Sequence, residues 1–287
     1  MAYQHVSAYG EFFSTRHIQT LAWYGTSPLA DHCARLLRGM GLLQQESPTL
    51  RELVEAAYLA LSRRCRVEYL FKTVALHRIL YGRHSPRTTA LFFEFAIGEA
   101  RADLVVVNGL GMVIEVKTAR DDLSRLPRQL AEYARCFGNI AVFVDRSDVP
   151  DVLAAVPDHV GVVSLSRREF MSWHRRPREV SAGLRHAELF RVLRKGEIPL
   201  ALKRLQRPVP DVHPAEWHNC CYEEFRRAPV QMAVRTVHDA VRNRSDTRRR
   251  HAACEGFPSA LWTLIHGARI PPKDWRLLRD HMERPYG

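Results

Sequence analysis

Two runs of β-branched and apolar residues, Leu104-Val105-Val106-Val107 and Met112-Val113-Ile114-Glu115-Val116-Lys117, stand four residues apart. Such runs read as strands. The link between them, Asn108-Gly109-Leu110-Gly111, reads as a tight hairpin turn, because Asn and Gly tolerate positive φ. An antiparallel pair of this kind brings Asp103, just ahead of the first run, beside Glu115. Residues i and i+2 of a strand share a face, so Glu115 and Lys117 point the same way. The expected result is two carboxylates and one ammonium on an apolar platform. Charges there are costly unless paired or bound to metal. Two hard oxygen ligands suit Mg²⁺ or Mn²⁺, and a nearby Lys suits a phosphate or a nucleophilic water.

The flanking sequence extends this unit. Thr49-Leu50-Arg51-Glu52 has capping-box form and opens a helix whose apolar side carries Leu53, Ala56, Ala57, Leu59 and Ala60. A second helix is expected over 66–81, with Glu68 and Lys72 an i,i+4 pair. Gly82 to Thr88 is a turn. A strand over 91–97 carries Glu94 among Phe92, Phe93 and Phe95, so Glu94 is a further candidate acid. A helix over 122–137 has an apolar stripe, Leu123, Leu126, Leu130, Ala134 and Phe137. Beside it runs a polar stripe of Asp122, Arg125, Gln129 and Tyr133. A strand at 140–144, a helix at 148–156 and a strand at 160–165 complete the pattern. No strand-like run follows 165, while Ser166-Arg167-Arg168-Glu169 has the form of another helix start.

Such an order implies an α/β protein, a mixed sheet flanked by helices with a helical C-terminal region. Three segments are expected: 1–65, an N-terminal helical segment packing on the core; 66–180, the core; and 181–287, the helical region. The length of 287 residues allows one large or two smaller domains. A 46% hydrophobic and 26% charged composition is that of a globular chain. No apolar run reaches the roughly 20 residues needed to span a bilayer, and Met1 to Gly10 lacks the regions of a signal peptide. The expected setting is cytoplasmic and without membrane. The six scattered cysteines read as reduced thiols. His213, His218, Cys220 and Cys221 cluster, but adjacent cysteines are poor spacing for tetrahedral zinc.

The chain carries a net charge of +12, and Lys supplies only five of its 43 basic residues. Arg binds phosphate in bidentate fashion, which is compatible with a nucleic-acid partner; codon bias in a G+C-rich genome gives the same excess. Residues 167–207 hold 12 basic residues against four Glu. Arg167, Arg168, Arg175, Arg176 and Arg178 are the candidate phosphate contacts. The helices within 184–205 have a weak helix-turn-helix character. No Gly-rich phosphate loop, G-x-S-x-G or H-E-x-x-H occurs.

The order Asp103, then Glu115-Val116-Lys117, then Gln129 and Tyr133 at Q-x-x-x-Y spacing resembles the PD-(D/E)XK nuclease superfamily over roughly 66–165. The resemblance is to its RecB-like branch. Ala102 stands where the first motif often has Pro. The wider stretch, from Phe93-Glu94-Phe95 through Arg125-Leu126, resembles a bacterial family of that superfamily, and Glu68 matches a helical Glu that often precedes the core strands. The resemblance implies a restriction-endonuclease-like αβββαβ core and a metal-dependent nuclease hydrolysing phosphodiester bonds. Asp103, Glu115 and the Val116 carbonyl would hold Mg²⁺ or Mn²⁺, with Glu68 or Glu94 completing the site. Lys117 would act on water or phosphate, with Gln129 and Tyr133 orienting it. The implied partner is nucleic acid, DNA ahead of RNA. A homodimer is compatible with this, and defence, counter-defence and repair in a bacterial or phage setting are all open. The alternative is a catalytically silent nucleic-acid-binding or protein-interaction module on the same fold.

Overall fold

The computed structural model describes residues 8–119 and 121–286; the expectation of helix for residues 1–7 lies outside them. In chain order the elements are α1 (Thr15–Tyr24), α2 (Pro28–Gly39), α3 (Leu50–Arg64), α4 (Glu68–Ala75), β1 (Ala90–Ile97), β2 (Ala100–Asn108), β3 (Leu110–Lys117), α5 (Leu126–Ala134), β4 (Asn139–Asp145), α6 (Val149–Ala155), β5 (Gly161–Leu165) and β6 (Met171–Arg175). The helices α7 (His186–Val192), α8 (Ile198–Arg204), α9 (Pro214–Arg226), α10 (Val230–Asn243), α11 (Thr247–Ala253), α12 (Trp262–Gly267) and α13 (Pro272–Met282) follow.

The chain forms two compact units: Met1–Gly82 with Arg167–Glu169 and Arg248–Gly287, and Arg83–Ser166 with Phe170–Thr247. These units cut the chain elsewhere than the three expected segments. The C-terminal helices divide between them, because α7 to α10 bury their apolar faces with the sheet residues whereas α13 packs against α1.

In the first unit α3 begins with the expected capping box. Glu52 N–H donates to Thr49 Oγ1 at 3.2 Å and Thr49 N–H to Glu52 Oε2 at 2.7 Å. The helix expected over 66–81 is α-helical only to Ala75 and continues as a π-helix over Leu76–Tyr81. Trp275 is buried in this unit's core.

The second unit is built on one six-stranded mixed sheet, ordered β1-β2-β3-β4-β5-β6. β1, β2 and β3 are antiparallel neighbours, β3, β4 and β5 are parallel, and β6 returns antiparallel to β5. The parallel steps need crossovers, which α5 and α6 supply. The hairpin is tighter than expected. Asn108 pairs with Leu110, and Gly109 alone turns the chain at φ 75°, so Gly111 already belongs to β3. An added Cβ at Gly111 would lie 2.6 Å from Phe137 Cε1, so a glycine is needed there for close approach.

One sheet face carries Val105, Val107, Val113, Ile140, Val142, Val144 and Val162. It forms a continuous core with Leu126, Leu130 and Tyr133 of α5 and with residues of α6 to α10. Alternation places Asp103, Glu115 and Lys117 on this same face. β6 was not expected: its five residues, Met171-Ser172-Trp173-His174-Arg175, mix apolar, polar and basic types, as a half-exposed edge strand does. Ser166-Arg167-Arg168-Glu169 opens no helix. Ser166 N–H donates to Phe170 O and Glu169 sits at φ 58°, so the segment is a turn. Among the described residues no helix is long and apolar enough to cross a membrane.

Candidate active site

The site forms where β2 and β3 part. Their paired register ends at Leu104 and Ile114, although β2 begins at Ala100 and β3 runs to Lys117. Backbone groups released from a ladder need other partners. Asp103 supplies one, its Oδ2 accepting the Val116 N–H at 2.8 Å. The Tyr133 hydroxyl lies 2.9 Å from Arg101 O and 2.7 Å from Glu115 Oε2, a single proton shared between two acceptors.

Glu115 and Lys117 are only 2% and 8% exposed. Ionic groups at that depth require each other and further hydrogen bonds. Lys117 Nζ donates to Glu115 Oε1 at 3.0 Å and to Gln129 Oε1 at 2.8 Å. Gln129 Nε2 donates to Glu115 Oε1 at 2.6 Å. Both Gln129 and Tyr133 come from α5, four residues apart and therefore on one face. Leu126 and Leu130 hold that helix to the sheet. Burial, and next the Glu115 carboxylate, push the Tyr133 phenol well above its ordinary pKa, so it stays a donor throughout the working range.

Asp103 is half-buried and Glu94 exposed, with a carboxylate oxygen of each within 4.8 Å of the other. Glu94 has φ 52°, a left-handed conformation unusual for a non-glycine residue inside a strand. The β1–β2 register passes from Phe93↔Leu104 to Phe95↔Ala102 and omits the pair between. That conformation was not legible in the sequence, which gave only an alternating position.

The structure thus brings Asp103, Glu115, Lys117, Gln129 and Tyr133 together, with Glu94 beside Asp103. Glu68 belongs to the first unit, where its carboxylate pairs with the Lys72 ammonium. Val116 contributes its N–H to Asp103, an interaction the sequence reading missed. The candidate phosphate contacts scatter. Arg175 is not a surface guanidinium: it donates to the carbonyls of Val160, Val156 and Pro157 and pairs with Asp158 at 3.2 Å. Arg176 lies over the Trp173 ring, 5.7 Å from its centroid. Arg167, Arg168 and Arg178 are exposed. Of the His/Cys cluster, His213 caps α9 and Cys221 enters the core.

Each carboxylate oxygen offers two lone pairs. Glu115 Oε1 has two donors, whereas Oε2 has only the Tyr133 hydroxyl and retains acceptor capacity. Asp103 and Glu94 bring carboxylate oxygens within 4.8 Å of one another, donors of the hard kind that Mg²⁺ and Mn²⁺ take, a grouping that Glu115 does not join.

A comparison with curated proteins gives no match. Among solved structures, the SPO1766 protein of unknown function from Silicibacter pomeroyi is similar at 20% identity, over 42% of this chain and 75% of that one, with a TM-score of 0.31. The family described as Bacteriophage P4 protein cII matches residues 62–278. That match takes in the whole sheet and the residues gathered at the β2–β3 opening, and it covers more than half of the sequence: the chain belongs to the bacteriophage P4 protein cII family.

Proposed function

We propose that the protein is a metal-dependent nuclease of the PD-(D/E)XK type, hydrolysing phosphodiester bonds of nucleic acid, DNA in the first instance. The observation that carries this reading is the contact of Lys117 Nζ with both Glu115 and Gln129, next to an Asp103 carboxylate oriented by the Val116 N–H. Asp103 and Glu115, with Glu94, would hold Mg²⁺ or Mn²⁺. The metal, when bound, would supply Lewis-acid polarisation of a phosphoryl oxygen and a more acidic water.

This chain's residues do the rest. An ammonium has three donors; Glu115 and Gln129 take two from Lys117, and the third serves a phosphate oxygen or attacking water. Gln129 fixes the direction of the ammonium and of Glu115 at once. Tyr133, kept protonated, holds the second Glu115 oxygen. Charge developing on the phosphate is then met by a donor that needs no reorganisation.

One observation favours a second reading, a silent nucleic-acid-binding module: Glu115 already has three protein donors and is almost wholly buried. The test is incubation of purified protein with single- and double-stranded DNA and RNA, with and without Mg²⁺ or Mn²⁺, beside Asp103→Asn and Lys117→Ala. The nuclease reading expects cleavage only with metal, none in Asp103→Asn, and metal binding without cleavage in Lys117→Ala. Cleavage in chelator, or none on any substrate, sinks it.

A further inference from the structure

A cavity of about 410 Å³ opens between α7 and α9, lined by Arg185, His186, Glu188, Tyr222, Arg226 and Arg227. That volume suits a small ligand of nucleotide size. Its surroundings are positive beyond the local acids. Glu188 is shared by Arg135 and Arg191, Glu224 by Arg207 and Arg227, and Glu223 takes Arg226, so that with Arg185 six guanidinium groups meet three carboxylates. The groups are also held in place. His186 Nε2 lies 2.8 Å from Ala228 O, and Arg185 Nη1 donates to Ala182 O and Leu184 O, each at 2.9 Å. Tyr222 rests against Phe190 with ring centroids 5.4 Å apart and stays half-buried. A positioned aromatic ring beside guanidinium groups is what binds one base and its phosphate in an unpaired strand.

The cavity also has a defined relation to the carboxylate site. Arg135 immediately follows α5, the helix that carries Gln129 and Tyr133. Its carbonyl accepts the Arg185 N–H at 3.0 Å, and its guanidinium meets Glu188. At 1.5 Å per residue, Gln129 and Arg135 are about 9 Å apart along the helix axis.

We propose that this cavity binds one nucleotide of a single-stranded nucleic acid, the phosphate among Arg185, Arg226 and Arg227 and the base on Tyr222. The identity of the ligand rests on the nuclease reading; the cavity's capacity for it does not need turnover. In duplex the bases are stacked inside and cannot reach Tyr222, so the proposal specifies an unpaired strand.

The test is binding of a labelled oligothymidylate to the Asp103→Asn protein in chelator, where nothing is cut. Replacing Arg226 and Arg227 together by Ala should weaken binding about tenfold or more and reduce the salt slope by about 0.7, one single-strand phosphate. Tyr222→Ala should weaken it at least about fivefold, and Tyr222→Phe should leave it intact, since stacking needs the ring and not the hydroxyl. Arg226→Ala alone, at an exposed pair with Glu223, serves as the fold-safe variant, with its thermal midpoint measured alongside. Unchanged affinity and slope in folded Arg variants overturn the proposal. So does equal competition by duplex DNA or by polyglutamate, which would show charge without a base site. If binding depends on these residues while the wild type cuts nothing, the cavity stands and the nuclease reading falls. If the wild type cuts but the variants bind as well as before, the reverse holds.

Discussion

Replacement of Lys117 by Met should destabilise the fold through Glu115 and not through lost packing. Met has similar length and no charge, so the stem remains and the ammonium goes. Glu115 is 2% exposed and keeps only the neutral donors of Gln129 and Tyr133. Removing one member of a buried ion pair typically costs about 3–5 kcal/mol. The two remaining donors place this case near the lower end, about 3 kcal/mol. Glu115→Gln should cost a similar amount, since it leaves a buried ammonium facing amide oxygens. The double variant has no uncompensated charge, so it should be more stable than the sum of the singles by about 2 kcal/mol. Urea denaturation followed by circular dichroism, with all four proteins in one buffer, measures this cycle. Effects that add to within about 0.5 kcal/mol would mean the two charges do not interact, and the argument for a preorganised Lys117 would lose its basis.

Three other outcomes follow from the same structure. His238 is held neutral, its Nδ1 accepting the Gly111 N–H at 3.0 Å and its Nε2 3.0 Å from Cys136 O, and burial lowers its pKa from 6.5 to about 4; the stability it contributes is full above pH 6.5 and lost as pH falls toward 4, about 3 kcal/mol in all, so His238→Leu should show a smaller loss over that window in urea midpoints, and equal losses would count against it. Gly111→Ala should cost about 1–3 kcal/mol by overpacking Phe137, readable as a lowered urea midpoint with unchanged slope. Arg175→Ala should lower stability by about 1–3 kcal/mol, because three carbonyls lose a charged donor, while leaving the salt slope of oligonucleotide binding unaltered; a reduced slope would return Arg175 to the surface role expected from composition.

Much of the second unit was legible because its signals are local. Val-rich runs, Asn108-Gly109 and the leucine stripe of α5 each act within a few residues and agree with one another. The meeting of Gln129 and Tyr133 with Glu115 was legible through helical spacing and the resemblance of the motif order. What escaped depends on distant chain. β6 is a strand only because β5 offers an edge to pair with. Arg175 looked like a phosphate contact because its carbonyl partners lie some 15 residues earlier. The division of the C-terminal helices between two units has no compositional mark, since α10 and α13 are both amphipathic.

A polar site inside a sheet this apolar needs a physical reason to exist. A continuous ladder would leave no Val116 N–H for Asp103 to accept. The register of β2 and β3 stops one residue short of Asp103 and Glu115, and on the other side β1 drops its pairing at Glu94 through a left-handed residue. Such a conformation costs of the order of 1–3 kcal/mol and persists where the surroundings over-determine it. Two interruptions therefore flank Asp103, one on each neighbouring strand. The released N–H of Val116 donates to Asp103, and Tyr133 donates to the Arg101 carbonyl as well as to Glu115, so the same residues that satisfy backbone groups set the geometry around Glu115 and Lys117. Backbone satisfaction and site assembly are thus one set of contacts. A change that closed the ladder, such as Glu94→Val with Asp103→Val, disfavours the left-handed conformation and should stabilise the sheet while removing the metal binding proposed for this site. Loss of both together would contradict this account.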